Sequence, residues 1–404
     1  MNGPLDLQPA PLAAQELQDS LAPFGLSKTL PAAAYTSSAV FEWELNNFFS
    51  RTWLCLGRVD ALLAPGEARA LRAGSQRLLL TRSQDGSYSV FWNVCRHRGH
   101  ELLPEGSVQT LRQIRCPYHS WTYRLDGTLR TAPQYQGVDG FDPNDYPLRA
   151  VPHQTWNGWL FVRGHEHGVD LPTQLGNLDE VLSPWQIEHL GTGASHEYEA
   201  HSNWKLIVEN YHECYHCTTI HPALCKVTPP DSGHNVVPTG WWTGGTMELR
   251  DHARTMSFDG ASPTGPFDYL PPDARRQVWY LGLFPNLLVS AHPDYVMAHV
   301  VTPLAPDRTH IRCEWLFDRT TMARGGFDPS FATDFWDQTN KEDWAATEGV
   351  QRGMASGGYL PGPLNPAEAN VYMFIRMVAQ GYRDGNVQAP DLPATAAFQS
   401  AFIR

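Results

Sequence analysis

The chain has 404 residues, and its 30 basic and 42 acidic side chains give a formal net charge of −12 at pH 7. This length suggests two or three domains, and 42% hydrophobic residues are enough for ordinary packed cores. Nucleic acids and anionic membranes are recognised by clustered Lys and Arg, yet the sequence contains no run of five basic residues. We therefore expect neither nucleic acid nor a membrane as a main partner.

The N-terminal segment does not have the pattern of an export signal. No Lys or Arg precedes Lys28, and Pro4, Pro9 and Pro11 interrupt the opening stretch, whereas a signal peptide has a basic region followed by an apolar one. The longest apolar run is broken by Pro285 and is too short to cross a bilayer. We therefore expect a cytoplasmic protein whose seven cysteines are ligands, reactive thiols or core residues rather than disulfides.

The first part of the chain changes from an arm-like composition to a β pattern. Residues 1–40 are rich in Ala, Pro and Leu and are expected to form an N-terminal arm. Residues 77–82 are typical of a short strand, and apolar and polar side chains alternate over residues 87–94. Asp126-Gly127 is a hairpin turn signal between two further strands.

The second part of the chain is mixed. We predict strands near residues 196–201 and 311–317, together with two helices that carry candidate ligands. The predicted domain boundary lies near residue 160, which gives one domain over 41–160 and another over 161–404.

Two short segments in the first domain each contain one Cys and one His. Cys95 and His97 lie in one predicted loop, and Cys116 and His119 lie in another. Two Cys and two His could bind a tetrahedral zinc, or a Rieske [2Fe–2S] cluster in which thiolates hold one iron and imidazoles the other. Zinc ribbons usually pair like ligands, whereas here each loop can give one ligand to each iron. The spacing favours the Rieske cluster, with His100 as a rival to His97.

A second group of candidate ligands lies in residues 203–222, and we interpret the part of this segment before His221 as one helix. Residues at intervals of three and four share one face of such a helix, and they are Leu206, Glu209, Glu213, His216 and Ile220. Ionisable groups among aliphatic ones are costly to bury unless they are paired or bound to a metal. A metal site and a partly solvated Glu–His pair both fit this face. His221 precedes a proline, so it lies at or beyond the helix end and can still point into the same site.

Cys214 and Cys217 form a C-x2-C pair in the same segment. A redox or zinc role is disfavoured, because no second C-x2-C pair and no thioredoxin-like βαβ context accompanies them. We predict that both are small helix residues with a structural role.

An iron site of two His and one carboxylate needs a third ligand from elsewhere. The sequence predicts a helix over residues 328–353, with Asp328 as N-cap and Gly353 as terminator. One apolar stripe of this helix consists of Trp336, Thr339, Asp343, Ala346 and Val350. Asp343 is the single charge on that stripe, whereas Asp337 lies on a polar face. Asp343 is therefore the candidate third ligand, and an internal salt bridge is the alternative.

Together these motifs resemble the large (alpha) subunit of the Rieske non-haem iron oxygenases. The resemblance rests on the Cys-x-His pair followed by Cys-Pro-Tyr-His-Ser-Trp-Thr-Tyr from Cys116, on Glu213-x2-His216-x4-His221, and on residues 340–344. It implies an α+β fold, with an antiparallel β Rieske domain followed by a catalytic domain. The catalytic domain would be a curved antiparallel sheet packed with helices, of the helix-grip type.

The resemblance also implies roles for single residues. The ligands of the [2Fe–2S] cluster would be Cys95, His97, Cys116 and His119. The ligands of the mononuclear Fe(II) would be His216, His221 and Asp343. Glu213 would be the catalytic carboxylate that connects His216 to His119 of the partner subunit in a homotrimer.

Position 213 also suggests a subfamily. Many ring-hydroxylating members have Asp there, and Glu resembles the branch that acts on quaternary ammonium compounds. Residues 246–250, 285–290 and 292–297 look most like members that demethylate glycine betaine, which implies a monooxygenase forming dimethylglycine and formaldehyde from glycine betaine and O2. Aromatic faces hold trimethylammonium groups, and candidates between the iron ligands are Trp241, Trp242, Phe267, Tyr269 and Tyr295.

Electrons would have to come from another protein. The chain has no G-x-G-x-x-G fingerprint after a predicted strand, so NAD(P)H and flavin would act only through a separate flavin and iron–sulfur reductase. An oxygenase of aromatic rings or of another N- or O-methyl compound would share every metal ligand. A Rieske electron carrier and a zinc-stabilised binding module are alternatives of other classes.

Overall fold

The computed structural model describes residues 8–165 and 168–390, together with the backbone of residues 402–403. The chain forms two compact units. The small unit is Phe49–Gly168, and the large unit consists of Met1–Phe48 and Val169–Arg404. The predicted boundaries at 40/41 and 160/161 therefore need correction: Phe48 packs on Phe284 of the large unit (ring centroids 5.3 Å apart), and residue 160 lies inside a paired strand of the small unit.

The N-terminal segment is part of the large unit instead of a separate arm. Its helices are α1 (Ala32–Thr36) and α2 (Ser38–Arg51). Glu44 of α2 is fully buried and lies 2.6 Å from the Lys205 ammonium, which is also fully buried. The Trp204 indole donates to the same carboxylate (2.8 Å). A buried ion pair needs such additional hydrogen bonds to offset its desolvation, and this one ties α2 to the segment that carries the candidate ligands.

The small unit is built from antiparallel strands. They are β1 (Leu54–Arg58), β2 (Glu67–Ala73), β3 (Gln76–Arg82), β4 (Tyr88–Trp92), β5 (Val108–Thr110), β6 (Ile114–Arg115), β7 (Thr122–Tyr123), β8 (Leu129–Thr131), β9 (His153–Trp156) and β10 (Trp159–Val162). The sheet orders are β1-β10-β9, β4-β3-β2-β5 and β6-β7-β8, and one short helix, α3 (Val59–Leu62), follows β1. The strand predicted over residues 77–82 is confirmed as β3.

The predicted hairpin turn at Asp126-Gly127 is also confirmed. The Arg124 backbone N–H donates to the Thr128 carbonyl (2.9 Å), and Gly127 has a φ of 83°. A Cβ at Gly127 would lie 2.4 Å from the Phe91 ring. Glycine is therefore required here both for the left-handed backbone and for space.

The large unit contains an eight-stranded sheet in the order β11-β17-β16-β15-β14-β13-β12-β18. Its strands are β11 (Leu190–Ala200), β12 (His234–Val236), β13 (Trp242–Glu248), β14 (Gln277–Leu283), β15 (Leu287–Ala291), β16 (Val296–Ala305), β17 (Arg308–Asp318) and β18 (Phe402–Ile403). Neighbours are antiparallel except β12 and β18. The strands predicted near residues 196–201 and 311–317 are confirmed, because they lie in β11 and β17 and pair with each other.

The large unit also contains further helices. They are α4 (Leu171–Leu175), α5 (Leu178–Leu182), α6 (Trp204–Tyr211), α7 (Cys217–Ile220), α8 (Leu224–Val227), α9 (Arg319–Met322), α10 (Ser330–Ala355) and α11 (Ala369–Asp384). Short 3₁₀ helices occur at Ala14–Leu17, Pro143–Asp145, Ser183–Trp185, Ile187–His189, Ala274–Arg276 and Pro366–Glu368. The expected α+β class, an antiparallel β unit followed by an antiparallel sheet with helices, is confirmed. Across the described ranges, none of the helices has the length and apolarity needed to cross a membrane.

The long helix α10 is displaced from its predicted bounds. It begins at Ser330 and ends at Ala355, instead of spanning residues 328–353. Pro329 occupies the N-cap position, and the Asp328 carboxylate accepts the Ser330 N–H (2.9 Å) from outside the helix. Gly353 does not end the helix, because its φ is helical and the next turn continues to Ala355.

Candidate metal centres

The segment that carries the candidate iron ligands is not one helix. The single-helix prediction is wrong because α6 ends at Tyr211 and α7 begins only at Cys217. The Glu213 carboxylate accepts the backbone N–H groups of Tyr215 and His216. A side chain that binds nearby backbone donors competes with helical hydrogen bonds, and here it stabilises the turn between the two helices.

Across this break, three predicted ligands still converge. His216 Nε2 lies 3.2 Å from His221 Nε2 and 3.4 Å from Asp343 Oδ1. His221 Nε2 lies 2.9 Å from the same Asp343 oxygen. Donor atoms that bind one ion at about 2.1 Å lie roughly 3 Å apart, so one cation could contact all three. Two imidazoles and one carboxylate are the donor set of non-haem Fe(II) sites, and the geometry fits that ion.

The charges around these atoms favour a cation between them. Burial opposes protonation of His216, but hydrogen bonds to Asp343 and Glu213 raise its pKa to about 9. The pKa of His221 is also raised despite burial, through Asp343 and Glu342. The two imidazoles lower the pKa of Asp343, although burial acts in the other direction. A divalent ion would replace the protons that these groups share, so its binding should release protons.

Each imidazole has a carboxylate behind it. His216 Nδ1 donates to Glu213 (2.5 Å), and His221 Nδ1 donates to Glu342 (2.8 Å). A carboxylate on Nδ1 fixes the tautomer and leaves Nε2 free for a metal. Glu213 was expected in this position, whereas the role of Glu342 was missed. Adjacent side chains of a helix point about 100° apart. The helical repeat that places Asp343 at the site therefore does not also place Glu342 beside His221.

Replacing Glu342 by Gln is expected to weaken iron binding about 10- to 100-fold, the usual effect of removing an outer partner of a metal-bound imidazole. Turnover should recover at saturating Fe(II), because the three ligand atoms remain. Iron titration of apoprotein followed by activity assays would measure both effects. Wild-type iron affinity in the variant would contradict the role given to Glu342.

Glu209 does not belong to this site, although the predicted helix face included it. Its carboxylate accepts the Tyr35 hydroxyl (2.8 Å), and burial raises its pKa from 4.5 to about 8. The correction follows from the break after α6: once the helix ends, positions 209 and 213 no longer follow one helical repeat. Glu209 instead joins the contacts between α6 and the N-terminal segment.

Glu209→Gln is expected to flatten the pH dependence of stability. Between about pH 4.5 and 8 the folded protein retains a proton on Glu209 that the unfolded chain releases, so stability is present below this window and is lost as pH rises through it, by up to about 1.4 kcal/mol per pH unit. Gln has no such equilibrium and can still accept the Tyr35 hydroxyl. Denaturant unfolding of both proteins at about pH 5 and pH 8 tests this, and equal pH slopes would count against it.

The pair Cys214 and Cys217 also departs from prediction. The structure joins them in a disulfide, with Cα atoms 4.9 Å apart, because the turn after α6 brings them within the range that a disulfide spans. The expectation of free thiols is wrong for these two residues. It holds for the other five cysteines, Cys55, Cys95, Cys116, Cys225 and Cys313.

In the small unit the four predicted cluster ligands come together from two loops. The rings of His97 and His119 lie 4.6 Å apart, and both cysteines are buried. Burial raises the pKa of the Cys95 thiol, and its interaction with Cys116 raises it further. The two thiols therefore lie near each other. His97 Nδ1 is buried without a hydrogen-bond partner. An orphaned imidazole nitrogen beside two buried thiols fits a Rieske cluster.

The surroundings of these residues separate His97 from its rival. The His97 ring stacks on Trp121 with centroids 5.0 Å apart. Burial and the neighbouring His119 and Arg98 lower the pKa of His97, which favours the neutral imidazole that a metal binds. His100 is exposed, and its Nδ1 faces the carbonyl of the next residue (2.5 Å). The geometry therefore favours His97.

A cavity of about 550 Å³ lies beside the three candidate iron ligands in the large unit. Its aromatic lining consists of Tyr211, Tyr215, Tyr280, Trp336 and Trp344. None of the five aromatic residues suggested by sequence is part of the lining, so that expectation is wrong. Tyr295, for example, lies behind the wall, where its hydroxyl accepts the Trp336 indole N–H (2.7 Å). The position of a residue between two ligands in the sequence does not show whether its side chain lies on the face of a strand that lines the cavity.

Comparisons with known proteins match both units of the chain. Residues 187–384 match the ring hydroxylating alpha subunit (catalytic domain) family, and residues 52–142 match the Rieske [2Fe–2S] domain. The glycine betaine monooxygenase oxygenase subunit of Pseudomonas aeruginosa is 28% identical over 368 residues, which cover 83% of this chain and 85% of the relative. The carnitine monooxygenase oxygenase subunit of Acinetobacter baumannii is 34% identical over 215 residues, 53% of this chain and 58% of the relative.

The fold has a close structural counterpart. A crystal structure of a quaternary ammonium Rieske monooxygenase with a bound inhibitor superposes with a TM-score of 0.73 at 25% sequence identity. The match covers 92% of this chain and 99% of the other. The similarity therefore extends over both units.

Proposed function

Because this chain is a large (alpha) subunit of the Rieske non-haem iron oxygenases, in the quaternary ammonium monooxygenase group, we propose that it demethylates glycine betaine to dimethylglycine and formaldehyde. The protein is an oxidoreductase with a Rieske [2Fe–2S] cluster and a mononuclear iron. The observation that carries the choice of a quaternary ammonium substrate is an aromatic cavity beside the His216, His221 and Asp343 triad, and glycine betaine is chosen within that class because the relatives matched over most of this chain carry its name.

The cavity suits a cation that has no hydrogen-bond donors. A trimethylammonium group is held by the faces of aromatic rings, which Tyr211, Tyr280 and Trp344 can offer here. The charged residues in the described lining, apart from the histidines, are Glu213, Asp231 and Asp343, and all are acidic. Negative charge around a small cavity favours a cationic substrate.

We propose that the ligands are those implied by the family resemblance. Cys95 and Cys116 would bind one iron of the cluster, and His97 and His119 the other. The triad of His216, His221 and Asp343 would bind the mononuclear iron. When bound, the cluster would supply electrons and the mononuclear iron would activate O2.

The protein's own residues position the reaction. Glu213 and Glu342 hold the Nδ1 protons of the two imidazoles, so that each Nε2 points to the metal position. The aromatic wall would orient one N-methyl group toward the triad and exclude water. Hydroxylation of that carbon, with the second oxygen atom of O2 reduced to water by two electrons and two protons, would give an N-hydroxymethyl ammonium compound. Loss of its hydroxyl proton and cleavage of the C–N bond, with the electron pair returning to nitrogen, would release formaldehyde and the tertiary amine.

The proposed system needs two kinds of partner. A separate reductase that contains flavin and an iron–sulfur centre would deliver electrons from NAD(P)H. A homotrimer would bring Glu213 beside His119 of the partner subunit, and this carboxylate would connect the two metal centres. The reductase is supported by the relatives, which are named as oxygenase subunits, and the homotrimer is proposed from the family resemblance alone.

A single turnover tests this function without the reductase. The purified protein would be reduced chemically and then mixed with O2 and glycine betaine, followed by assays for formaldehyde and dimethylglycine. We expect both products in equal amounts, and neither after removal of iron or O2. Absence of both products with intact metal centres would refute glycine betaine as substrate.

Carnitine would then be tested first, because the 34% identical relative carries that name. Choline, stachydrine and aromatic acids would complete the panel. A product from an aromatic acid alone would favour the ring-hydroxylating alternative.

A further inference from the structure

The disulfide between Cys214 and Cys217 lies directly beside the candidate iron site. The two cysteines flank Tyr215 and His216 in the chain, and both line the cavity that adjoins the triad. Neither the proposed ligand set nor the proposed reaction uses this disulfide. A reversible bond at this place can control what the metal position binds, because the thiolate is the form of cysteine that binds metals.

One sulfur of the disulfide approaches the nitrogen of His216 that faces the metal position. Cys217 Sγ lies 3.9 Å from His216 Nε2. The same nitrogen has His221 Nε2 at 3.2 Å and Asp343 Oδ1 at 3.4 Å. The Cys217 sulfur is therefore a third neighbour of the nitrogen to which the metal would bind.

The distance from this sulfur to the imidazole is close to that between two ligands of one metal ion. Zinc binds a thiolate at about 2.3 Å and an imidazole at about 2.1 Å, so two such donors at a tetrahedral angle lie roughly 3.6 Å apart. The observed separation of Cys217 Sγ and His216 Nε2 is 3.9 Å. Rotation of a freed cysteine side chain can supply the small remaining shift.

A sulfur ligand would change what the site can do. A metal held by three protein ligands keeps an open position, whereas four protein ligands close a tetrahedral site. The triad supplies three donors and so leaves room for O2. A thiolate from Cys217 would fill that room, and soft sulfur donors favour zinc over the hard ions that carboxylate and water suit.

We propose that Cys217 is a latent fourth metal ligand, which the disulfide with Cys214 holds back and which reduction by a dithiol releases. The inference rests on the proposed function only through its ligand set of His216, His221 and Asp343. It does not depend on which substrate the cavity binds.

The release would be a thiol–disulfide exchange. Cys214 is half-buried, whereas only 3% of Cys217 is exposed, so a thiolate of the dithiol attacks Cys214 Sγ. The S–S bond breaks, and its electron pair leaves on Cys217 Sγ. The second thiolate of the dithiol then attacks the mixed disulfide, which frees Cys214 and closes the oxidised dithiol. The dithiol thus loses two electrons and two protons; Cys214 gains one proton, and the other enters solvent while Cys217 binds the metal.

Zinc is a suitable probe, because its X-ray absorption edge is separate from that of the cluster iron. Full-length protein with an intact cluster and no mononuclear iron would receive one equivalent of Zn²⁺. Air-oxidised protein should show nitrogen and oxygen ligands alone. Protein treated with a dithiol, which is removed under nitrogen before zinc is added, should show one sulfur at about 2.3 Å. Competition titration should give a zinc affinity about tenfold higher, or more, in the reduced form.

Two single variants separate a ligand from a mere cross-link. Cys214→Ser and Cys217→Ser both lack the disulfide, but only Cys214→Ser keeps the sulfur beside His216. Under nitrogen and without a dithiol, we expect the zinc–sulfur contact in Cys214→Ser and its absence from Cys217→Ser. Cys225→Ser is a matched control, since Cys225 is a free thiol outside the described cavity lining, and it should match wild type in both redox states. The visible spectrum of the cluster would verify the fold of every variant.

The outcomes distinguish this inference from the ligand set on which it rests. If oxidised wild-type protein binds zinc but no sulfur contact appears after reduction or in Cys214→Ser, the inference is refuted and the ligand set is retained. A zinc–sulfur contact in Cys217→Ser, or wild-type protein that forms no disulfide in air, would refute the inference as well. If Asp343→Ala binds zinc as tightly as wild type, the ligand set and the inference both fail.

Discussion

Asp343→Ala protein is expected to contain its Rieske cluster but no mononuclear iron, and to form almost no product in a single turnover. Asp343 Oδ1 lies 2.9 Å from His221 Nε2 and 3.4 Å from His216 Nε2, and two imidazoles alone leave the donor set incomplete. The loss of activity should exceed the roughly 100-fold typical of residues that act behind a ligand. Iron analysis, the visible spectrum and formaldehyde release would measure the three outcomes.

Asp337→Ala is a matched control on the same helix. Asp337 accepts hydrogen bonds from Tyr198 (3.0 Å) and Lys341 (2.5 Å) and contacts none of the triad in those bonds. We expect its variant to keep wild-type iron content. If Asp343→Ala also kept its iron and its turnover, the proposed ligand set would be refuted.

Unlike Asp343→Ala, which should lose its mononuclear iron, Glu213→Gln should have normal metal content and turnover reduced about 10- to 100-fold. Glu213 fixes the His216 tautomer through a 2.5 Å hydrogen bond, and in the proposed trimer it also connects the two metal centres. The neutral amide cannot hold the Nδ1 proton in the same way, but the three ligand atoms remain. Stopped-flow measurement of cluster oxidation, beside product yield, would show whether electron transfer is the affected step.

Glu213 and Glu342, the carboxylates behind the two imidazoles, provide a direct comparison. Excess Fe(II) should restore turnover in Glu342→Gln, because that variant affects only the occupancy of the iron site. The same treatment should not restore Glu213→Gln. Loss of iron from Glu213→Gln, or its rescue by excess Fe(II), would contradict a role in coupling the centres.

Local sequence was sufficient for the small unit. The two Cys-and-His segments are each only a few residues long, so their turns place both ligands of a segment together almost regardless of the rest of the fold. Alternating side chains and the Asp126-Gly127 signal predicted strands and a hairpin that the structure contains. In such stretches the backbone pattern is determined by neighbours in sequence.

Periodicity was less reliable in the large unit, since it describes directions only within one helix. It placed Asp343 on the inner face of α10, where the residue does meet His216 and His221. It also placed Glu209 with Glu213, although the turn after Tyr211 separates them and Glu209 pairs with Tyr35. A side chain that binds the backbone, here Glu213, can end a helix that the apolar repeat would continue.

Sequence by itself thus determined the kinds of candidate metal donor, their short-range spacing and the presence of a Rieske unit before a second, larger one. Tertiary structure alone decided that Glu342 lies behind His221 and which aromatic residues line the cavity. These features depend on contacts between residues far apart in the chain. Their positions are set by the packing of helices on the sheet, which no local pattern specifies.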